Sequence, residues 1–148
     1  MDVEARRADI EISRHYAEGS LMGYMVLALI VSRIKEAPVP FFIKPITRGL
    51  AGRIESTLLS KSFETHYGFL EEQLATSEGD FICGKNLTGA DIMLQTPLEG
   101  GLGKTNLTKD KYPKICAYVD RLIQRDAYKR GIEKIKKETG NYVPLSEI

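Results

Sequence analysis

The 148-residue sequence predicts an all-α fold, a single domain over 1–148 built as a bundle of about five helices. Three observations carry that expectation. Apolar residues recur three or four apart through successive segments, as they do on one face of a helix. No segment alternates apolar and polar residues with the period of a strand, and no internal repeat is present. Segment ends carry helix-boundary chemistry, most clearly at Thr88-Gly89-Ala90-Asp91, a capping box that leads into Ile92-Met93-Leu94.

The first helix is expected from Val3 to Lys35. Val3, Ile10, Ile12 and Tyr16 are loosely spaced over a charged stretch, and from Leu21 to Ile34 the pattern is apolar on nearly all sides. Gly19 and Gly23 each cost such a helix about 1 kcal/mol relative to Ala. They mark a bend, a close approach of a backbone or ligand, or a packing groove for a neighbouring helix. Glu36-Ala37-Pro38-Val39-Pro40 ends the helix, because proline lacks the amide donor and pushes its predecessor out of helical geometry.

A second helix begins around Phe41 to Pro45 and runs, with a break near Gly49 or Gly52, toward Ser77. Ile54, Leu58, Leu59, Phe63, Tyr67, Leu70 and Leu74 form a stripe that predicts packing across the first helix as an antiparallel neighbour. Ser77-Glu78-Gly79-Asp80 closes it, and Phe81-Ile82 places an apolar plug before Gly84. The third helix runs from the box to about Leu98. Thr88 is its N-cap, Asp91 reaches back to the Thr88 amide, and Leu87 and Ile92 are positioned to close a hydrophobic staple. Pro97 is expected to kink or stop it.

Gly103-Lys104-Thr105 resembles the end of a phosphate-binding loop. That pattern requires glycine where Leu98 stands and a strand before it, and neither condition is met, so nucleotide binding is not expected there. Pro113 opens a fourth helix with Ile115, Tyr118, Val119, Leu122 and Ile123 as its stripe. Asp126 is positioned to cap a last helix from Ala127 to Lys137, basic on its outer side, and an irregular tail follows from Thr139 to Ile148.

Charge excludes one class of function. With 21 Lys and Arg against 20 Asp and Glu, the chain lacks the basic surplus of a general nucleic-acid binder. Cys83 and Cys116 lie far apart without metal spacing and read as small buried residues in a reducing compartment. His15 and His66 fit no ligand spacing, so no metal is expected, and His66 reads as a partly buried helix residue. Met1 to Arg14 is charged throughout, unlike a secretory signal, and Tyr24 to Val31 is too short to span a bilayer. Those features predict a cytoplasmic protein without a membrane span, in which Asn86-Leu87-Thr88 and Asn106-Leu107-Thr108 match glycosylation acceptors only by chance.

Several ordered motifs together resemble a known family. Phe63-Glu64-Thr65-His66-Tyr67-Gly68-Phe69-Leu70-Glu71-Glu72-Gln73-Leu74, then Phe81-Ile82-Cys83-Gly84-Lys85-Asn86, the box, Lys111-Tyr112-Pro113-Lys114-Ile115 and Arg125-Asp126-Ala127-Tyr128 follow one another in the chain. This order is similar to the C-terminal helical domain of the glutathione S-transferase family. His15-Tyr16-Ala17-Glu18-Gly19-Ser20-Leu21-Met22, with Val39-Pro40-Phe41-Phe42 and Pro45-Ile46, resembles its fungal-type branch. Tyr118 departs from the family pattern where Trp is usual, as does Asp126 where Pro is common.

The resemblance implies that the first helix lines a pocket for an electrophilic substrate, with Ile12, His15, Tyr16, Gly19 and Met22 as candidate binding residues. They do not all fall on one line of the helix, so only some of them are expected to face the cleft. A mainly apolar wall with a few polar groups suits a small-molecule site. The other reading keeps Tyr16 and Met22 in the core and His15 on the surface. No catalytic residue is assigned. In this family the thioredoxin-like domain, absent from these 148 residues, holds glutathione and activates its thiol, so the chain alone is expected to be inactive. With that domain joined, the resemblance implies a detoxifying conjugation of glutathione, the co-substrate, to electrophiles. It also implies a homodimer formed through the first two helices. The alternative is a stand-alone docking module like those attached to translation elongation and aminoacyl-tRNA synthetase proteins.

Overall fold

A computed structural model describes residues 10–12, 15–102 and 104–144, and these are helical with no strand beyond isolated bridges. Residues 10–12 and 15–16 are helical and lead into a π-helical turn, Ala17–Leu21, which continues as α1, Met22–Glu36. The expected start of that helix at Val3 lies outside the described residues. After the Pro38 and Pro40 turn come α2, Lys44–Ile54, a second π turn, Glu55–Leu59, and α3, Ser60–Thr76, as one unbroken rod. The remaining helices are α4, Gly89–Gly101, α5, Pro113–Ile123, and α6, Asp126–Thr139.

The change of helix type in the second rod falls at Glu55–Leu59, and no break occurs at Gly49 or Gly52. Both glycines stay inside a regular helix, because the packed stripe beyond them outweighs a propensity cost of about 1 kcal/mol each. The two rods run antiparallel, as expected. Lys35 pairs with Glu55, the Tyr24 ring meets Phe63, and Tyr16 meets Phe69, so positions rising along one rod match positions falling along the other. From the predicted stripe, Leu59, Phe63, Tyr67 and Leu70 are buried, whereas Leu58 points outward.

Helix α4 crosses the core. It passes through Pro97 and ends at Gly101, so the expected stop near Leu98 does not occur. Proline removes one amide and crowds the preceding turn, but Pro97 is fully buried, as are Leu94 and Leu98, and the packed surroundings hold the helix. The capping box has both arms in place. Ile92, expected to staple to Leu87, is instead 53% exposed.

Helix α5 begins at Pro113 and is capped from another helix: the Glu71 carboxylate accepts from the Lys114 and Ile115 amides, both at 2.9 Å. These are donors a helix start leaves open. Asp126 is the first residue inside α6, whose N-cap is Arg125, so its charge favours the helix start without acting as the cap. Gly140 closes α6 in left-handed geometry at φ 77, which glycine reaches without strain. Thr105 has a packing role, sharing a 3.0 Å hydrogen bond with the Tyr67 hydroxyl and donating to the Gly101 carbonyl. Gly103, two residues before it, lies outside the described residues.

Candidate functional site

The first rod presents two different faces along its length. Tyr16 and Met22 are six residues apart, which at about 3.6 residues per turn puts them on different sides of a helix, and the π turn Ala17–Leu21 lies between them. Ile12 and Tyr16, ahead of it, line a cleft of about 380 Å³ with Phe69 and Leu70 of α3, Ile82 and Leu94. Met22, behind it, lines a separate cavity of about 460 Å³ with Val26 and Leu29, against Thr96 and Pro97 of α4.

The five candidate residues are therefore divided. Ile12 and Tyr16 come together, and Met22 goes to the other cavity. His15 is exposed, its Nδ1 at 2.8 Å from the Glu11 backbone carbonyl, and lines neither space. Gly19 is exposed as well, and a Cβ built on it or on Gly23 would meet nothing within 4 Å. Neither glycine is held open for a close neighbour among the described residues.

Tyr16 is one of the polar residues lining the first cleft. Its hydroxyl lies 2.5 Å from His66 Nδ1, and its ring packs against His66 and Phe69 at 5.4 and 5.2 Å. Burial pushes the Tyr16 phenol well above its ordinary range and lowers the His66 imidazole below 6.5. The Tyr16 hydroxyl also reaches the His66 backbone carbonyl at 3.5 Å, so it donates either to Nδ1 or to that carbonyl while accepting from Nδ1–H, according to the imidazole tautomer. The lining combines apolar Ile12, Phe69, Leu70, Ile82 and Leu94 with polar Gln73, Thr76, Ser77 and Glu78 and the buried Cys83.

Periodicity marks His66 only as a partly buried residue of α3 and does not single out Phe69. The spacing of His66, Phe69 and Leu70 on one side of α3 is visible in the sequence. What that side faces is not, because only the antiparallel pairing of the rods brings Tyr16 to its level.

His66 supplies a pH test. Its imidazole is lowered in the fold, so as pH falls through about 6.5 the unfolded chain takes a proton that the folded one resists. Stability from this site is complete above that pH and is lost toward the lower folded value. Urea titrations between pH 7 and 5 should show a smaller loss in His66→Gln than in the parent chain, and equal slopes would refute the lowered affinity of the half-buried imidazole for a proton.

Among the described residues no group of His, Cys, Asp or Glu is arranged to hold a metal ion, and no helix is long and apolar enough to cross a membrane.

The family model described as glutathione S-transferase, C-terminal domain, matches residues 42–130 of the chain. Glutathione S-transferase 1 of Saccharomyces cerevisiae is 27% identical over 127 residues, covering 86% of this chain and 54% of that protein. The chain thus spans about half the length of this curated relative. No solved structure matches it.

Proposed function

Because this chain belongs to the glutathione S-transferase C-terminal domain family, we propose that it forms the electrophile-side wall and the dimer surface of a glutathione transferase. The observation that carries this reading is the cleft of about 380 Å³ between the two longest rods, whose lining joins apolar side chains to a few polar ones, Tyr16 among them. Such a cleft suits an apolar electrophile held against a few polar groups. The thiol-activating half, in this reading, is a thioredoxin-like domain joined to the chain, and glutathione is the co-substrate bound there.

The dimer surface rests on a second observation. Phe42, Ile46 and Leu50 recur four apart and are exposed, and Val26, Ile30 and Ile34 repeat that spacing on α1. Exposed apolar rows of this kind mark an interaction surface, and a twofold axis lets one patch cover its own copy. The same rows would serve the alternative, a docking module, with another protein as the occupant.

One set of measurements tests the proposal. NMR titration with a chloronitrobenzene should shift Tyr16 and Phe69, and Phe69→Ala should weaken binding about tenfold, or about 1.4 kcal/mol. Mixed with glutathione, the chain alone should leave the uncatalysed conjugation rate unchanged. Sedimentation should show a dimer that becomes a monomer in Ile46→Glu. Conjugation by the isolated chain would overturn the division of labour, and shifts confined to the Met22 cavity would move the electrophile there. A monomeric parent chain would favour the docking reading.

A further inference from the structure

The cleft of about 380 Å³ changes character along its length. On α3 its lining passes from Phe69 and Leu70 through Gln73 to Thr76, about 10 Å at a rise of about 1.5 Å per residue. Ser77 and Glu78 carry the lining just past the helix end. One end of the cleft is aromatic and aliphatic, and the other is polar.

The polar end is rich in acceptors. Thr76 Oγ1 donates to the Glu72 and Gln73 carbonyls at 3.1 and 3.2 Å, and Ser77 Oγ donates to the Phe81 carbonyl at 2.6 Å. A hydroxyl has one proton and two lone pairs, so with their protons engaged these groups meet a guest as acceptors. The Glu78 carboxylate adds further acceptors and a negative charge, and it forms no ion pair among the described residues. Asp80, two residues on, is by contrast paired with Arg121 at 3.5 Å. Helix α3 reinforces the sign, because its C-terminus carries the negative end of the helix dipole and no basic residue stands in its last turn. Among the described residues no Lys, Arg or His lines the cleft.

We propose that this cleft takes an amphipathic cation, an aromatic body seated on Phe69 and Leu70 with an ammonium group reaching Thr76, Ser77 and Glu78. The proposal rests on the reading of the cleft as the electrophile wall and names the class of molecule it prefers. An ammonium brings three donors and no acceptor, the complement of this end, whereas an anion sets lone pairs against lone pairs and charge against like charge. Tyr16 and Phe69, whose rings lie 5.2 Å apart in the same lining, act in the same direction, since an aromatic face attracts a cation.

The probes are 1-naphthylmethylamine, its neutral alcohol and the anion 1-naphthylacetate, each titrated into the isotope-labelled chain at neutral pH and constant ionic strength. Phe69 and Ser77 should shift, with the amine binding at least about threefold more tightly than the alcohol and the anion more weakly than either. Glu78→Gln, at an exposed position, should bring the amine close to the alcohol and leave the alcohol unchanged. Asp80→Asn, whose carboxylate lies outside the lining, should keep the preference. Equal binding of amine and alcohol with shifts at Phe69 would overturn the proposal and leave the cleft a site for neutral apolar molecules. No shift at Phe69 with any probe would overturn the electrophile reading as well. A preference undiminished in Glu78→Gln, or lost equally in Asp80→Asn, would replace the proposed contact with the diffuse field of the surface and so overturn it.

Discussion

Asp91→Ala is expected to lower the unfolding free energy by about 3 to 5 kcal/mol, well beyond the 0.5 to 2 kcal/mol, roughly, of an ordinary lost cap. The carboxylate is fully buried and takes four hydrogen bonds, of which only the one from the Thr88 amide at 2.7 Å belongs to helix capping in the usual sense. Its other oxygen accepts from the Ile82 amide at 2.9 Å and the Tyr118 hydroxyl at 2.8 Å. Truncation leaves both of those buried donors without a partner, each at about 1 to 3 kcal/mol. Thr88→Ala removes capping alone and should cost about 1 kcal/mol. Urea unfolding of the two variants side by side decides the matter, and equal losses would reduce Asp91 to a cap.

Gly101→Ala is expected to destabilise by about 1 to 3 kcal/mol, although alanine is the better helix former by about 1. A Cβ at Gly101 would stand 2.6 Å from the Tyr67 hydroxyl. That hydroxyl has little room to retreat. It is held by Thr105 at 3.0 Å, and the fully buried Tyr67 ring is stacked on Phe63 at 5.4 Å with Tyr112 at its edge. Tyr67→Phe deletes the obstructing oxygen. In that background Gly101→Ala should recover most of the loss, giving a coupling of about 1 kcal/mol or more in a double-mutant cycle. An unchanged penalty would place the strain elsewhere. Burial pushes the Tyr67 phenol up to about 12, so its hydroxyl remains protonated and the result should not change between pH 6 and 9, roughly.

Both experiments probe features whose legibility in the sequence differs. The Thr88 to Asp91 box is readable because its partners are three residues apart and the geometry is local. The contacts from Ile82 and Tyr118 join segments 9 and 27 residues away, which spacing alone does not reveal. At the candidate site Tyr16 is reachable only as one of five candidates that the family resemblance offers on the first helix. Its pairing with His66, 50 residues on, is not.

By itself the sequence determined the all-α class, the antiparallel first two rods, the helix start at Thr88, the stripe of α5 and the family resemblance. These follow from periodicity and from capping and proline chemistry, all of which act within a few residues. Only the tertiary structure decided that α4 continues through Pro97, that Tyr16 and Met22 line different cavities, and that Gln95 and Glu99 are buried. In each case the outcome is set by side chains from distant segments closing around a helix, and burial on that scale outweighs local propensities of about 1 kcal/mol per residue.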